Sequence, residues 1–323
     1  MTVDIGFIGA GGIASTHLRN LESREHGNVV AICDIDADVA ETAAKPHDAA
    51  TFTDFSTMYE TVDLDAVFIC VPPFAHGAAE LEAVERGIHL LVEKPLALDA
   101  ETGREIEAAI EEAGVLSQVG HMTRYADVVE RATELIGDAQ LALIDGHWWG
   151  GVPGTAWWRV FEQSGGQVVE QATHTYDIVR YFAGDVAEVR AAGSQEVVTD
   201  VIDFEDATSA TMTHADGTTS HVSATSASPE SKHGVQLIGD GISLALDFRA
   251  NTLTGVVDGE DIEYEGSGAT YAPELDAFLE AVETGDGSDL RSPYRDARQT
   301  FEATLAVNES MTSGAPVDVE VLE

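Results

Sequence analysis

Lysine is almost missing from this chain: Lys45, Lys94 and Lys232 are its only three. Lys plus Arg total 16 against 58 Asp plus Glu, a formal charge of −42 at pH 7. A field of that sign repels phosphate backbones and anionic lipid, which excludes nucleic acid and membrane surfaces as expected partners. Cysteine is scarce too. Cys33 and Cys70 are too few for a disulfide scaffold and fit a reducing compartment. No apolar run of about 18 residues occurs, and no basic segment precedes an apolar one at the start. Neither a membrane span nor an export signal is expected, so the expectation is a soluble, cytoplasmic protein. The 11 histidines form no HExxH pair, and no Walker or G-x-S-x-G motif is present, so no metal site is expected.

What is present is a chain of 323 residues, 44% of them hydrophobic, enough for a sizeable core and, at ~150 residues per domain, about two domains. The acidic residues run throughout, as in Glu41, Glu82, Glu107, Glu111 and Asp258, rather than forming one tail. Self-repulsion of this size destabilises a compact state unless salt screens it, and screening shortens to ~3 Å at 1 M. The composition resembles that of cytosolic proteins from salt-accumulating halophiles.

The first third alternates short apolar runs with amphipathic stretches. Residues 3–8, 29–33, 66–71, 89–92 and 116–120 read as buried strands, with helices through Leu18 and Leu21, from Phe74 to Arg86 and from Ala100 to Ala113. Near-continuous apolar strands alternating with helices predict a doubly wound parallel sheet. From about His121 the pattern changes. Helices are expected at 127–136, 168–182, 273–284 and 296–312, and strands at 141–149, 186–198, 205–214, 218–227, 233–239, 243–248 and 253–264, with Asp216-Gly217 and Asp258-Gly259 as hairpin turns. The expected fold is therefore an α/β Rossmann dinucleotide-binding domain over 1–121, then an α+β domain with a large, mainly antiparallel sheet over 122–323.

Gly9-Ala10-Gly11-Gly12-Ile13-Ala14 follows the first strand and opens a helix. Gly9 permits the tight turn, Gly11 lets backbone approach a pyrophosphate, and Ala14 takes the helix-packing position; Gly12 and Ile13 begin the helix whose N–H groups face the phosphates. Asp34 ends the second strand, where a carboxylate accepts the adenosine ribose hydroxyls and repels a 2′-phosphate. Ile35 and Asp36 bring no cation to neutralise such a phosphate, so NAD is expected over NADP. Glu93-Lys94-Pro95 ends the fifth strand, where parallel sheets place their ligands. A desolvated Lys94 ammonium there has the chemistry to move a proton; the alternative is a structural pair with Glu93.

These segments, with Val71-Pro72-Pro73-Phe74-Ala75-His76 and Ser164-Gly165-Gly166-Gln167-Val168-Val169-Glu170-Gln171-Ala172-Thr173-His174-Thr175-Tyr176-Asp177, resemble the signature segments of the glucose–fructose oxidoreductase/inositol dehydrogenase/rhizopine catabolism (Gfo/Idh/MocA) family. The resemblance runs the length of the chain, ending at Ala306-Val307-Asn308-Glu309-Ser310 and Gly314. It implies NAD(P)-dependent hydride transfer on a sugar, an inositol-like polyol or a sugar-derived carbonyl compound. It implies further that Val71, Pro72, Pro73, His76, Glu93 and Lys94 border the cofactor. Lys94 matches the family's catalytic lysine. His174 matches a histidine four residues after an acid that is usually Asp and is here Glu170. On one helix, Glu170 and His174 would share a face. Glu170 then either orients His174 or holds a substrate hydroxyl, and Asp177 is a second group able to orient the ring.

All 4 tryptophans lie between Trp148 and Trp158. Trp148 and Trp149, adjacent on a strand, must face opposite sides, so one belongs to the core. Trp157, Trp158 and Arg159 are the candidates for stacking on and bonding a sugar, with Arg124, Tyr125, Gln171, His174 and Asp177 as further lining. The second sheet needs cover on both faces and the helices suffice for one, so a homodimer or homotetramer is expected, in agreement with the family resemblance. A dinucleotide-dependent sensor on the same scaffold is the alternative function; it has no need of both Lys94 and His174.

Overall fold

A computed structural model describes residues 2–24 and 26–321. The chain divides into two compact units. One runs to Met122 and includes Tyr271–Asp296; the other comprises Thr123–Thr270 and the residues from Ala297 onward.

In the first unit, β1 (Val3–Ile8), β2 (Gly27–Cys33), β3 (Ala50–Phe52), β4 (Ala66–Ile69), β5 (His89–Val92) and β6 (Ser117–Val119) alternate with α1 (Gly12–Leu21), α2 (Ala37–Ala44), α3 (Phe55–Thr61), α4 (Ala78–Glu85) and α5 (Ala100–Ala113). The strand order is β3-β2-β1-β4-β5-β6, all parallel. Every residue of β4 is buried, which is why its sequence is uniformly apolar rather than alternating. The expected helix from Phe74 begins only at Ala78, after a 3₁₀ turn at Pro73–Ala75. The boundary at 121 needs one correction. The helix Tyr271–Thr284 groups with the first unit, because Leu275, Phe278 and Leu279 form an apolar stripe packed into the core with Phe7 and Phe68. Phe278 meets Phe68 edge-on at 5.6 Å.

The second unit contains α6 (Asp127–Ile136), β7 (Leu141–Trp149), α7 (Phe161–Ser164), α8 (Gly166–Glu170), α9 (Thr173–Ala183), β8 (Val186–Ser194), β9 (Ala207–His214), β10 (Thr219–Thr225), β11 (Lys232–Gly239), β12 (Ile242–Asp247), β13 (Thr252–Val257) and β14 (Glu260–Glu265). The Tyr271–Thr284 helix is then α10, followed by α11 (Tyr294–Ser313) and β15 (Val317–Asp318). The sheet has nine strands in the order β14-β13-β12-β11-β7-β10-β9-β8-β15; only β7 and β10 pair in parallel. The expected strand over 253–264 is a hairpin, turning at Asp258 and Gly259, both at positive φ. Val129, Val168, Tyr176, Val179 and Val307 of the helices cover one face. α9 comes so close to β7 that a Cβ on Gly146 would stand 2.6 Å from Thr175. On the other face Ser209, Thr211, Thr213 and Leu143 are exposed, and His221 bridges Asp145 (2.8 Å) and Ser209 (2.9 Å).

Candidate functional site

In the first unit the site is built on the turn between β1 and α1. Gly9 has φ +84°, and a Cβ there would press on the Cys70 carbonyl oxygen at 2.4 Å, so only glycine fits. Gly11 caps α1 with no side-chain bond, and apart from the adjoining residues and the helix's own backbone no atom of the described residues stands within 4 Å of where a Cβ on Gly11 or Gly12 would go. No side chain built on either glycine would obstruct this end of α1, whose first N–H groups lack intrahelical partners and so suit an anion. Ile13 is half-buried, while Ala14 is buried in the core, seating the helix on the sheet.

Asp34 stands beside this turn. Its Oδ2 accepts the Ala10 N–H at 2.8 Å and its Oδ1 the Asp36 N–H at 2.9 Å. Both bonds fix the carboxylate and leave each oxygen a second lone pair for a vicinal diol. The half-buried Asp34 is followed by Ile35, 96% exposed, and Phe74 is 51% exposed in the turn after β4. β2 and β4 flank β1, so the segments that carry Ile35 and Phe74 leave the sheet on either side of the strand that ends in the glycine turn. The sequence marks Ile35 only as bringing no cation and Phe74 only as part of a signature segment, not as apolar surface beside the turn. Val71 and Pro72 are half-buried and Pro73 buried.

His76 corrects an expectation. Its side chain is fully enclosed and its Nδ1 lies 2.5 Å from Glu80 Oε1, while Glu80 Oε2 accepts the Gly77 N–H. It shapes the turn after β4 instead of facing a ligand. Glu93 is likewise buried, its Oε1 2.7 Å from Nε2 of the fully buried His17 on α1. Lys94 follows, half-buried, past the carboxyl end of β5. Cys33 and Cys70 are held as thiols: burial above all, then Asp54 and Asp34, pushes the Cys33 thiol up to about 11, and burial with Glu93 raises that of Cys70.

In the second unit the expected helix over 168–182 is broken. α8 ends at Glu170; the Ala172 N–H reaches back to the Gln167 carbonyl, five residues away, and the Thr175 N–H to that of Ala172, only three. The widened and then tightened turns redirect the axis, so Glu170 and His174 do not share one helix face. Gln171, half-buried, lies in the break. Glu170 Oε2 accepts Trp158 Nε1–H at 2.5 Å. Trp158 is buried against Ile202 and Phe204, so it is a core residue that anchors Glu170 and no stacking platform. Trp157 is half-buried beside it, and Arg159 donates to the Pro153 carbonyl (Nη2, 3.2 Å).

Asp177 and Arg124 are also reassigned. Arg124 Nε and Nη2 bind the two Asp177 oxygens at 2.8 and 2.6 Å, and Thr300 donates to Oδ1. This buried fork occupies both groups, and Tyr125 is buried as well, so none of the three lines a surface. What meets His174 instead is Trp148: the rings stack at 5.7 Å and 28°. Trp148 also touches His233 (4.5 Å) and lies under the Arg249 guanidinium (5.2 Å). Burial, then Arg249 and His147, lowers His233 to about 3, so it stays neutral near pH 7. Trp149 turns to the opposite face, where Nε1–H bonds Ser223 and Lys232 lies over the ring. Among the described residues no group of three or more His, Cys, Asp or Glu is placed to hold a metal.

Residues 3–121 match the family described as "Oxidoreductase family, NAD-binding Rossmann fold", and residues 132–245 match "GFO/IDH/MocA C-terminal domain", together well over half of the chain. The uncharacterized oxidoreductase YrbE of Bacillus subtilis is 27% identical over 98% of this chain and 97% of its own. An inositol 2-dehydrogenase of an Arthrobacter species is 31% identical over 57% of this chain and 55% of its own. Among solved structures, levoglucosan dehydrogenase in complex with NADH superposes with a TM-score of 0.91 at 19% identity, covering 100% of both chains; that likeness speaks for the fold.

Proposed function

The chain belongs to the GFO/IDH/MocA oxidoreductase family, with that family's NAD-binding Rossmann domain at residues 3–121, and from this premise we propose that it is an NAD-dependent dehydrogenase acting on a sugar, polyol or sugar-derived carbonyl compound. The observation that carries the reading is Asp34, its carboxylate fixed by the Ala10 N–H beside the Gly9 turn and open to a ribose diol. Sugar and polyol substrates are supported by the names of the relatives.

Bound NAD supplies a nicotinamide ring that exchanges a hydride with the substrate carbon. The α1 N-terminus and Gly11 hold its phosphates, Asp34 its adenosine ribose, and Ile35 and Phe74 offer apolar contact. Oxidising a carbinol also requires that the hydroxyl proton leave, and this is the work assigned to His174 and Lys94. His174, its ring stacked on Trp148, is the proposed proton acceptor, and Lys94 is the second proposed proton-transfer group. Glu170, anchored by the Trp158 indole, offers its second oxygen to His174 or to a substrate hydroxyl.

Three further proposals complete the reading. The acid excess suits a salt-rich interior. The free, buried thiols and the nicotinamide cofactor fit the cytoplasm. The open sheet face, with Leu143 41% and Val256 37% exposed, suits pairing with a second copy. The direct test is a panel of sugars and inositols with NAD and NADP at molar salt, followed by absorbance of the reduced nicotinamide. Reduction with no member of the panel would count against the reading.

A further inference from the structure

Acidic side chains so outnumber cations here that an arginine readily meets a carboxylate. Arg24, Arg86, Arg131, Arg190 and Arg295 each do. Arg249 does not. It is exposed in the turn after β12, a turn held by the Arg249 and Ala250 N–H groups on Asp247 Oδ1, and its guanidinium contact is the face of Trp148. A guanidinium laid over an indole keeps the N–H donors of its edge available, and their fork matches a carboxylate or phosphate.

The position of this cation matters as much as its freedom. The same indole that carries Arg249 stacks on His174. Guanidinium and imidazole are thus no further apart than the two ring separations combined, a distance on the scale of a sugar acid. The field of a chain at −42 repels anions at long range. Recognising an anionic substrate therefore requires a local cation, whereas a neutral sugar requires none.

We propose that Arg249 is the anion-recognising residue of the substrate site, and that the compound oxidised beside His174 carries a carboxylate or a phosphate. This rests on the reading of His174 as a substrate-site residue. Trp148 is then a shared platform that orients the imidazole and presents the guanidinium.

The test measures affinity of the NADH-loaded protein for D-glucose, D-glucuronate and D-glucose 6-phosphate, by calorimetry at two salt concentrations, in the wild type, Arg249→Gln and Arg249→Lys. At least one acid should bind about tenfold more tightly than D-glucose, since charge-assisted bonds are worth that much or more. The preferred acid tells carboxylate from phosphate. Arg249→Gln should bring it to the level of glucose, Arg249→Lys should keep part of the preference, and added salt should erode it. Equal affinity for glucose, a preference that survives in Arg249→Gln, or no binding of either acid overturns the proposal. Reduced nicotinamide formed from neutral sugars without any preference for acids would sink Arg249's role alone. Failure to bind NADH would sink the dehydrogenase reading and this proposal together.

Discussion

His17 Nε2 lies 2.7 Å from Glu93 Oε1, both groups buried, so the helix that opens on the glycine turn is tied to the residue preceding Lys94. The imidazole is further enclosed edge-on by Phe68 and Tyr271. One Glu93 oxygen, Oε1, is thereby committed to His17. Removing one member of such a pair leaves the other desolvated and uncompensated. His17→Leu should lower unfolding stability by about 3–5 kcal/mol, read from urea midpoints at fixed salt. The double variant His17→Leu/Glu93→Leu should lose less than the two single losses combined. Strict additivity would show that the two groups do not interact.

Asp34 is the residue proposed to set cofactor choice. Asp34→Ser with Ile35→Arg removes the diol acceptor and adds a cation where a 2′-phosphate would sit, so NAD affinity should fall and NADP affinity rise. Asp34→Ala should show the first effect more clearly than the second. Titration of both cofactors checks this, and a wild-type preference for NADP would contradict the assignment.

His233 makes stability pH-dependent. Burial, then Arg249 and His147, holds the folded imidazole down at about 3, well below its ordinary 6.5. Between those values the unfolded chain binds the extra proton, so stability is full above about 6.5 and falls as pH drops toward 3. Burial lowers His89, His147 and His214 in the same sense. His233→Phe should flatten the loss of stability between pH 7 and 4. An unchanged slope would remove His233 as a cause.

The open sheet face predicts a dimer or tetramer in solution. Light scattering at high salt should give a multiple of 34.3 kDa; a value equal to one chain would contradict the pairing.

What could be read from the sequence is local. The glycine turn, Asp34 and the strands of the parallel sheet are set by residues within a few positions of one another, and burial on both faces leaves uninterrupted apolar runs. What escaped depends on distant partners. The α10 stripe looks the same whichever sheet it covers. Arg124 finds Asp177 across 53 positions and Trp158 finds Glu170 across 12. The break between α8 and α9 contains Gln171 and Ala172, neither a helix breaker, so composition carried no sign of it. β3, three residues long, is too short for periodicity to register.

Lys94 and His174 are the groups proposed to handle the substrate proton. Positioned acid–base groups typically contribute ~10²–10⁴ in rate. The decisive measurement is kcat with the best substrate of the panel alongside NADH affinity, for Lys94→Ala, His174→Ala and the double variant. Each single change should cut kcat about a hundredfold or more while NADH affinity moves far less, and the double variant should lose less than the product of the two. Glu170→Gln should be milder than His174→Ala if Glu170 only orients the ring, and comparable if it handles the proton. Full turnover in Lys94→Ala would contradict the mechanism, whereas a wild type that binds NADH but turns over no member of the panel would favour a dinucleotide-dependent sensor.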